Sequence, residues 1–111
     1  MNTLEDAREE IKKIGSDKKS IDIMAPKAIS KTIKLSNVIL QDAIIIKQDM
    51  LSIGGEVAVP RNTFALSGEK ADILVIGTIA QHKGLIKKLK RHYPRLKKIA
   101  IELDIILKDI T

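Results

Sequence analysis

Apolar residues recur along this chain at two periods, and the switches between them predict the elements. Leu4, Ala7, Ile11 and Ile14 form a helical stripe over residues 3–15, with Thr3 as N-cap and Gly15 as the stop. Asp6 stands where a capping box would carry Glu. "SIDIM" (20–24) alternates, with Ile21 and Ile23 against Ser20 and Asp22, and reads as a short strand. Pro26 then opens a helical turn through Ile29, and "TIKLSN" alternates again at Ile33 and Leu35. The next helix begins between Asn37 and Asp42 and ends at Ile53, with Ala43, Ile46, Met50 and Ile53 on a wide apolar face.

"EVAVP" (56–60) is a strand with Val57 and Val59 on one side, and Pro60 places its end at a sheet edge. "FALS" (64–67) is a candidate short strand, with a turn near Ser67-Gly68. "ADILVIGT" (71–78) differs in kind. Its unbroken run Ile73-Leu74-Val75-Ile76 fits a central strand covered on both faces. Gly77-Thr78 leads into a helix to about Arg91, and Pro94 starts a last helix with Leu96, Ile99, Ala100, Leu103, Ile106, Leu107 and Ile110 inward. There is no internal repeat or linker. The fold class that follows is α/β: a single domain with a small mixed β-sheet sandwiched by helices in two or three layers, of undetermined strand order.

Composition narrows the chemistry. A chain of 111 residues fits one domain with a core just large enough to stand alone. It has no cysteine, so disulfides, zinc-thiolate sites and thiol nucleophiles are excluded together. The N-terminal run is charged and amphipathic, unlike a signal peptide, and no apolar stretch is long enough to cross a bilayer; a soluble cytoplasmic protein is expected. Heavy use of isoleucine and lysine fits an AT-rich genome or a thermophilic source and carries no functional weight.

The net charge is +6, and its excess is concentrated in Lys83, Lys87, Lys88, Lys90, Arg91, Arg95, Lys97 and Lys98, a stretch without a carboxylate. Such a face could track the phosphates of RNA, or it could be a solvated surface with cations near a helix C-terminus. Only Phe64 and Tyr93 are aromatic, so base stacking has almost nothing to work with.

Two glycine turns invite an anion-binding reading. Gly54-Gly55 follows a helix, where free carbonyls repel phosphate, so Gly54 is expected in the left-handed C′ position. Gly77-Thr78 precedes a helix and is the better candidate for a phosphate-containing ligand, with an ordinary cap by Thr78 as its commoner alternative. His82 and His92 have no partner at catalytic or metal-binding spacing, and no metal or cofactor is implied. Asp42 and Asp49, seven apart, share a helical face two turns distant and are expected to be solvated or ion-paired.

Several blocks form a familiar set. "IMAPKAI" (Ile23 to Ile29), "IKQDMLSIGGEVAV" (Ile46 to Val59), Gly77-Thr78 and "LIKKLK" (Leu85 to Lys90) resemble the N-terminal extension of some bacterial and archaeal dihydropteroate synthases and synthase-related proteins. There the extension precedes a pterin-binding barrel. The resemblance runs from about residue 4 to 91, and the block from Lys47 to Glu56 is its most distinctive part. The barrel's N-x-T-P-D-S-F-type strand and G-x-x-S-[TS] motifs do not occur in these residues, so synthesis of dihydropteroate by this chain alone is not expected. Asn62 replaces a usual glycine, and Tyr93-Pro94-Arg95 replaces a usual Pro-Phe-Gly.

The resemblance implies an accessory or ligand-binding domain of pterin metabolism. Its partner would be a synthase-like barrel protein, with an oligomer as a further option, and its long last helix would cap apolar surface. Lys27, Lys47, Gln48, Arg61 and Thr78, polar within matched apolar blocks, are its candidate ligand contacts. The alternative is a small RNA-binding module using the basic face. An independent enzyme would need a polar pocket beside Thr78.

Overall fold

A computed structural model describes residues 1–61 and 69–111. The expected strand at 64–67, its turn and Asn62 lie outside the described residues. The elements run α1 (Leu4–Ile14), α2 (Lys18–Ala28), β1 (Ser30–Ile39), α3 (Leu40–Ser52), β2 (Glu56–Ala58), β3 (Lys70–Thr78), α4 (Ile79–Leu89) and α5 (Pro94–Ile110). The α/β class holds. The strands, in order β1-β3-β2, are all antiparallel where a mixed sheet was expected.

α1 starts and stops as its sequence dictates. The Thr3 side chain accepts the Asp6 amide at 3.0 Å, and Gly15 closes the helix at φ 89°. "SIDIM" is a correction: it lies inside α2, not in a strand. The alternation there is too short to outweigh the helical spacing that buries Ala25 and half-buries Ile21 and Met24. Ile23, the residue that completed the strand pattern, is exposed. Pro26 does not open a turn but stands near the C-terminal end of α2.

β1 and β3 are centred on the pairs Ile33↔Val75 and Leu35↔Ile73, and β2 adds Val57↔Val75 on the far side of β3. The register shifts between Leu35 and Val38, where Asn37 adopts φ 57° and its amide donates to the Asp72 carboxylate at 3.2 Å. Asparagine tolerates that left-handed backbone better than most residues.

The covered face of the sheet is built from Ile33 and Leu35 on β1, Ile73 and Val75 on the central β3, and Val57 on β2 beyond it. α2, α3 and α4 contact this face. Leu74 and Ile76 point the other way and remain 38% and 37% exposed. The apolar run of β3 therefore does not indicate cover on both faces. Among the described residues the molecule has two layers, helices on one side and an open sheet on the other. α5 packs on α4, burying Leu96, Ala100, Leu103 and Leu107.

Candidate functional site

The two glycine turns meet in one joint. α3 ends at Ser52, and Gly54 follows at φ 90°, the left-handed closure its position required. Gly55 and Gly77 then flank the fully buried Met50. A Cβ on Gly55 would stand 2.7 Å from Met50 Cγ, and one on Gly77 would stand 2.6 Å from Met50 Cε. The glycines thus make room for a thioether between strand and helix end.

Thr78 caps α4, and Gln81 completes the box: the Thr78 hydroxyl accepts the Gln81 amide at 3.1 Å, and Gln81 Oε1 accepts the Thr78 amide at 2.9 Å. The Ile79 amide donates to Ile29 O at 2.9 Å. Gln81 Nε2 reaches Ile53 O at 3.4 Å, at the carbonyl end of α3. The amides that made Gly77-Thr78 an anion candidate are thus occupied by the protein itself, and the positive end of α4 faces the negative end of α3. Thr78 acts here as a cap.

Of the five residues expected to contact a ligand, the fold brings Lys27 and Thr78 together. With Ile53, Ala80, Gln81 and Gly84 they line an open depression of about 460 Å³ beside this joint. Lys47 is engaged elsewhere. Its ammonium donates to Val57 O at 2.8 Å and Glu56 Oε1 at 3.0 Å, pinning β2 to α3. The Val57 amide and then the Lys47 ammonium hold the Glu56 carboxyl below its usual value. Gln48 is exposed on α3, and Arg61 is exposed three residues beyond β2.

The two aspartates of α3 grip the α4–α5 corner. Asp49 Oδ2 lies 2.9 Å from His92 Nε2. Asp42, 2% exposed, accepts two bonds from the Arg95 guanidinium, both at 2.9 Å, and one from the Tyr93 hydroxyl. Burial alone would raise the Asp42 pKa, but the bonds from Arg95 and Tyr93 and the charge of Arg95 outweigh it and leave the carboxyl below its ordinary value. Burial and the Asp42 carboxylate raise the Tyr93 phenol, whose ring lies 4.9 Å from the Arg95 guanidinium. The two aspartates were expected to be solvated or ion-paired; the contact of Asp49 with His92 was not foreseen, because the two lie 43 residues apart in sequence.

Arg95 is paired with Asp42 through Nε and Nη2, although its side chain stays 55% exposed. Lys83, Lys87, Lys90 and Arg91 are exposed along α4 and its C-terminal end, Lys88 is half-buried, and Lys97 and Lys98 are exposed on α5. Tyr93, the aromatic residue within this stretch, has its hydroxyl on Asp42.

The sequence reading found no catalytic or metal-binding partner for His82 but did not foresee its burial. It is fully buried, its Nε2 bonds Lys31 O at 2.8 Å, and its Nδ1 has no partner. Burial depresses its pKa, so the ring is held neutral, donating from Nε2 to β1. A concavity of about 530 Å³ lies in the seam between α1 and α2, where Arg8 and Asp22 pair at 3.0 Å. Both side chains there are largely exposed, so it has the character of a solvated helix junction. Among the described residues no group of three or more His, Asp or Glu converges as a metal site, and no helix is long and apolar enough to cross a membrane.

An α/β domain whose buried polar groups serve as structural joints is what this geometry defines. The comparisons add a partial relation to a folate-pathway protein. The chain is 32% identical over 98 residues to the bifunctional dihydropteroate synthase/dihydropteroate reductase of Helicobacter pylori (strain ATCC 700392 / 26695). That match takes in 88% of this chain but 26% of the relative, so the chain spans about a quarter of the length of the protein it matches. No protein-family model and no solved structure matches it.

Proposed function

We propose that this chain is a non-catalytic companion in dihydropteroate metabolism, working beside a catalytic chain of the synthase kind. The observation that carries the reading is the partial match: 98 residues align with 26% of a bifunctional dihydropteroate synthase/dihydropteroate reductase. The use of polar groups supports it. Asp42, Asp49, Lys47 and Thr78, the side chains best suited to chemistry by type and burial, each hold two elements together or cap a helix. A group already fixed in such a joint is poorly placed to exchange protons with a substrate.

The test is reconstitution. The purified chain should show neither dihydropteroate synthesis nor dihydropteroate reduction on its own. Mixed with the synthase-like chain of the same organism, it should co-elute in size-exclusion chromatography and shift that chain's activity. Turnover by the isolated chain, or failure to associate with the synthase-like chain, would overturn the proposal.

A further inference from the structure

The outer face of the sheet carries large aliphatic side chains on its central strand. Two rows cross it, Thr32–Ile76–Glu56 and Lys34–Leu74–Ala58, set by the strand register. Leu74 and Ile76 stand side by side on the central strand with more than a third of their surface in contact with water. A central strand that carries large aliphatic residues on both faces has the composition of a strand covered twice. Among the described residues, the helices pack on the other face.

The border of this patch is charged: Lys34 pairs with Asp72 at 3.6 Å on one side, and Glu56 with Lys47 at 3.0 Å on the other. An apolar centre inside a polar rim is the anatomy of a protein–protein contact. Next to Leu74 the sheet dips into a depression of about 280 Å³, walled by Ala58, Val59 and Pro60. Its lining is mainly apolar, so it suits one bulky aliphatic or aromatic side chain better than a polar ligand.

We infer that this face is where the catalytic chain docks, placing Leu74 and Ile76 at the centre of the contact and an apolar side chain of that partner in the depression beside Pro60. The inference rests on the functional reading above. It selects the occupant from the comparison: the relative continues well beyond the matched quarter in the same polypeptide, so a domain equivalent to this one is tethered there to the rest of that enzyme. A second copy of this chain is the competing occupant. The outer helix α5 offers a competing surface, because Ile101 and Ile105 are also exposed.

One set of measurements separates these. The affinity for the synthase-like chain of the same organism is measured by titration calorimetry for the parent, for Leu74→Lys with Ile76→Thr, and for Ile101→Lys with Ile105→Lys. Circular dichroism melts confirm that each variant is folded. Because both pairs of sites are exposed, neither change removes core packing. The sheet variant should bind roughly thirty-fold or more weakly, as expected for loss of a central anchor, while the α5 variant binds like the parent. Parent binding with an unaffected sheet variant would refute this face and leave the functional reading standing. No binding by the parent would defeat both. A parent that is dimeric alone by sedimentation, with a monomeric sheet variant, would assign the face to self-association and overturn the inference.

Discussion

Gly55→Ala tests the joint between α3, β2 and β3 most directly. The added Cβ would meet Met50 Cγ and Cε at 2.7 Å and Sδ at 2.8 Å, against 3.4 Å or more for an ordinary contact. Three atoms of one fully buried side chain would overlap it at once. Met50 can rotate its methyl away but not its Cγ, and Gly77 leaves it no slack on the other side, because a Cβ there would come within 2.6 Å of Cε. Overpacking of this kind costs about 1–3 kcal/mol. With about 2.1 cal/mol/K of unfolding entropy per residue, each kcal/mol lowers Tm by about 4 °C in a chain of this length. A fall of roughly 4–13 °C is expected by differential scanning calorimetry.

Met50→Ala alone should cost about 2–5 kcal/mol as a cavity. Combined with Gly55→Ala it should cost clearly less than the sum, since the smaller side chain vacates the space the new methyl needs. A Gly55→Ala Tm within a degree or so of the parent, or strict additivity in the double variant, would show that Met50 is not what demands glycine there.

The remaining predictions concern the polar joints. Asp42→Asn should destabilise by roughly 1.5–3 kcal/mol at neutral pH, the range for hydrogen bonds to a charged group, measured by urea unfolding. Because the folded Asp42 pKa lies below the ordinary 3.8, its contribution is complete above that value and is lost as pH falls through the folded one. The gap between parent and variant should therefore close in acid. His82, depressed below 6.5, acts in the same direction: stability from the neutral ring is complete above 6.5 and declines as pH falls through the lower folded value. Its imidazole resonances should titrate with a midpoint below 6.5, and a midpoint above it would contradict the buried neutral ring. Thr78→Ala should cost about 1 kcal/mol as a lost cap. If the cap is its whole role, phosphate at constant ionic strength should leave the Tm of parent and variant alike unchanged. Lys47→Met should speed amide exchange in β2, where the ammonium now holds Val57 O.

Local chemistry made the helix ends legible before any coordinates. Thr3, Gly15, Gly54 and Pro94 each do what a cap, a stop or a first-turn proline must, because the requirement is met within one turn of chain. Long-range pairings were not legible. Nothing near His92 announces Asp49, and nothing near Asp42 announces Arg95. The anion reading of Gly77-Thr78 weakened for the same reason, since the groups that occupy this helix end include Ile29 O, far away in sequence.

The two pattern errors differ in what they teach. "SIDIM" was read at the wrong period, and the helix buries what its own spacing selects, so that error closes once the structure is known. The run Ile73–Ile76 was read as a central strand covered on both faces; the strand is central, but its burial alternates and among the described residues one face stays open. Large aliphatic residues on an outward strand face favour the strand through cross-strand packing, but left unshielded they also invite association. Thr32 and Lys34, one strand over, show that this same face accepts polar residues freely. Leu74 and Ile76 are thus not imposed by the fold of the isolated chain, and this separates them from the residues that build its core.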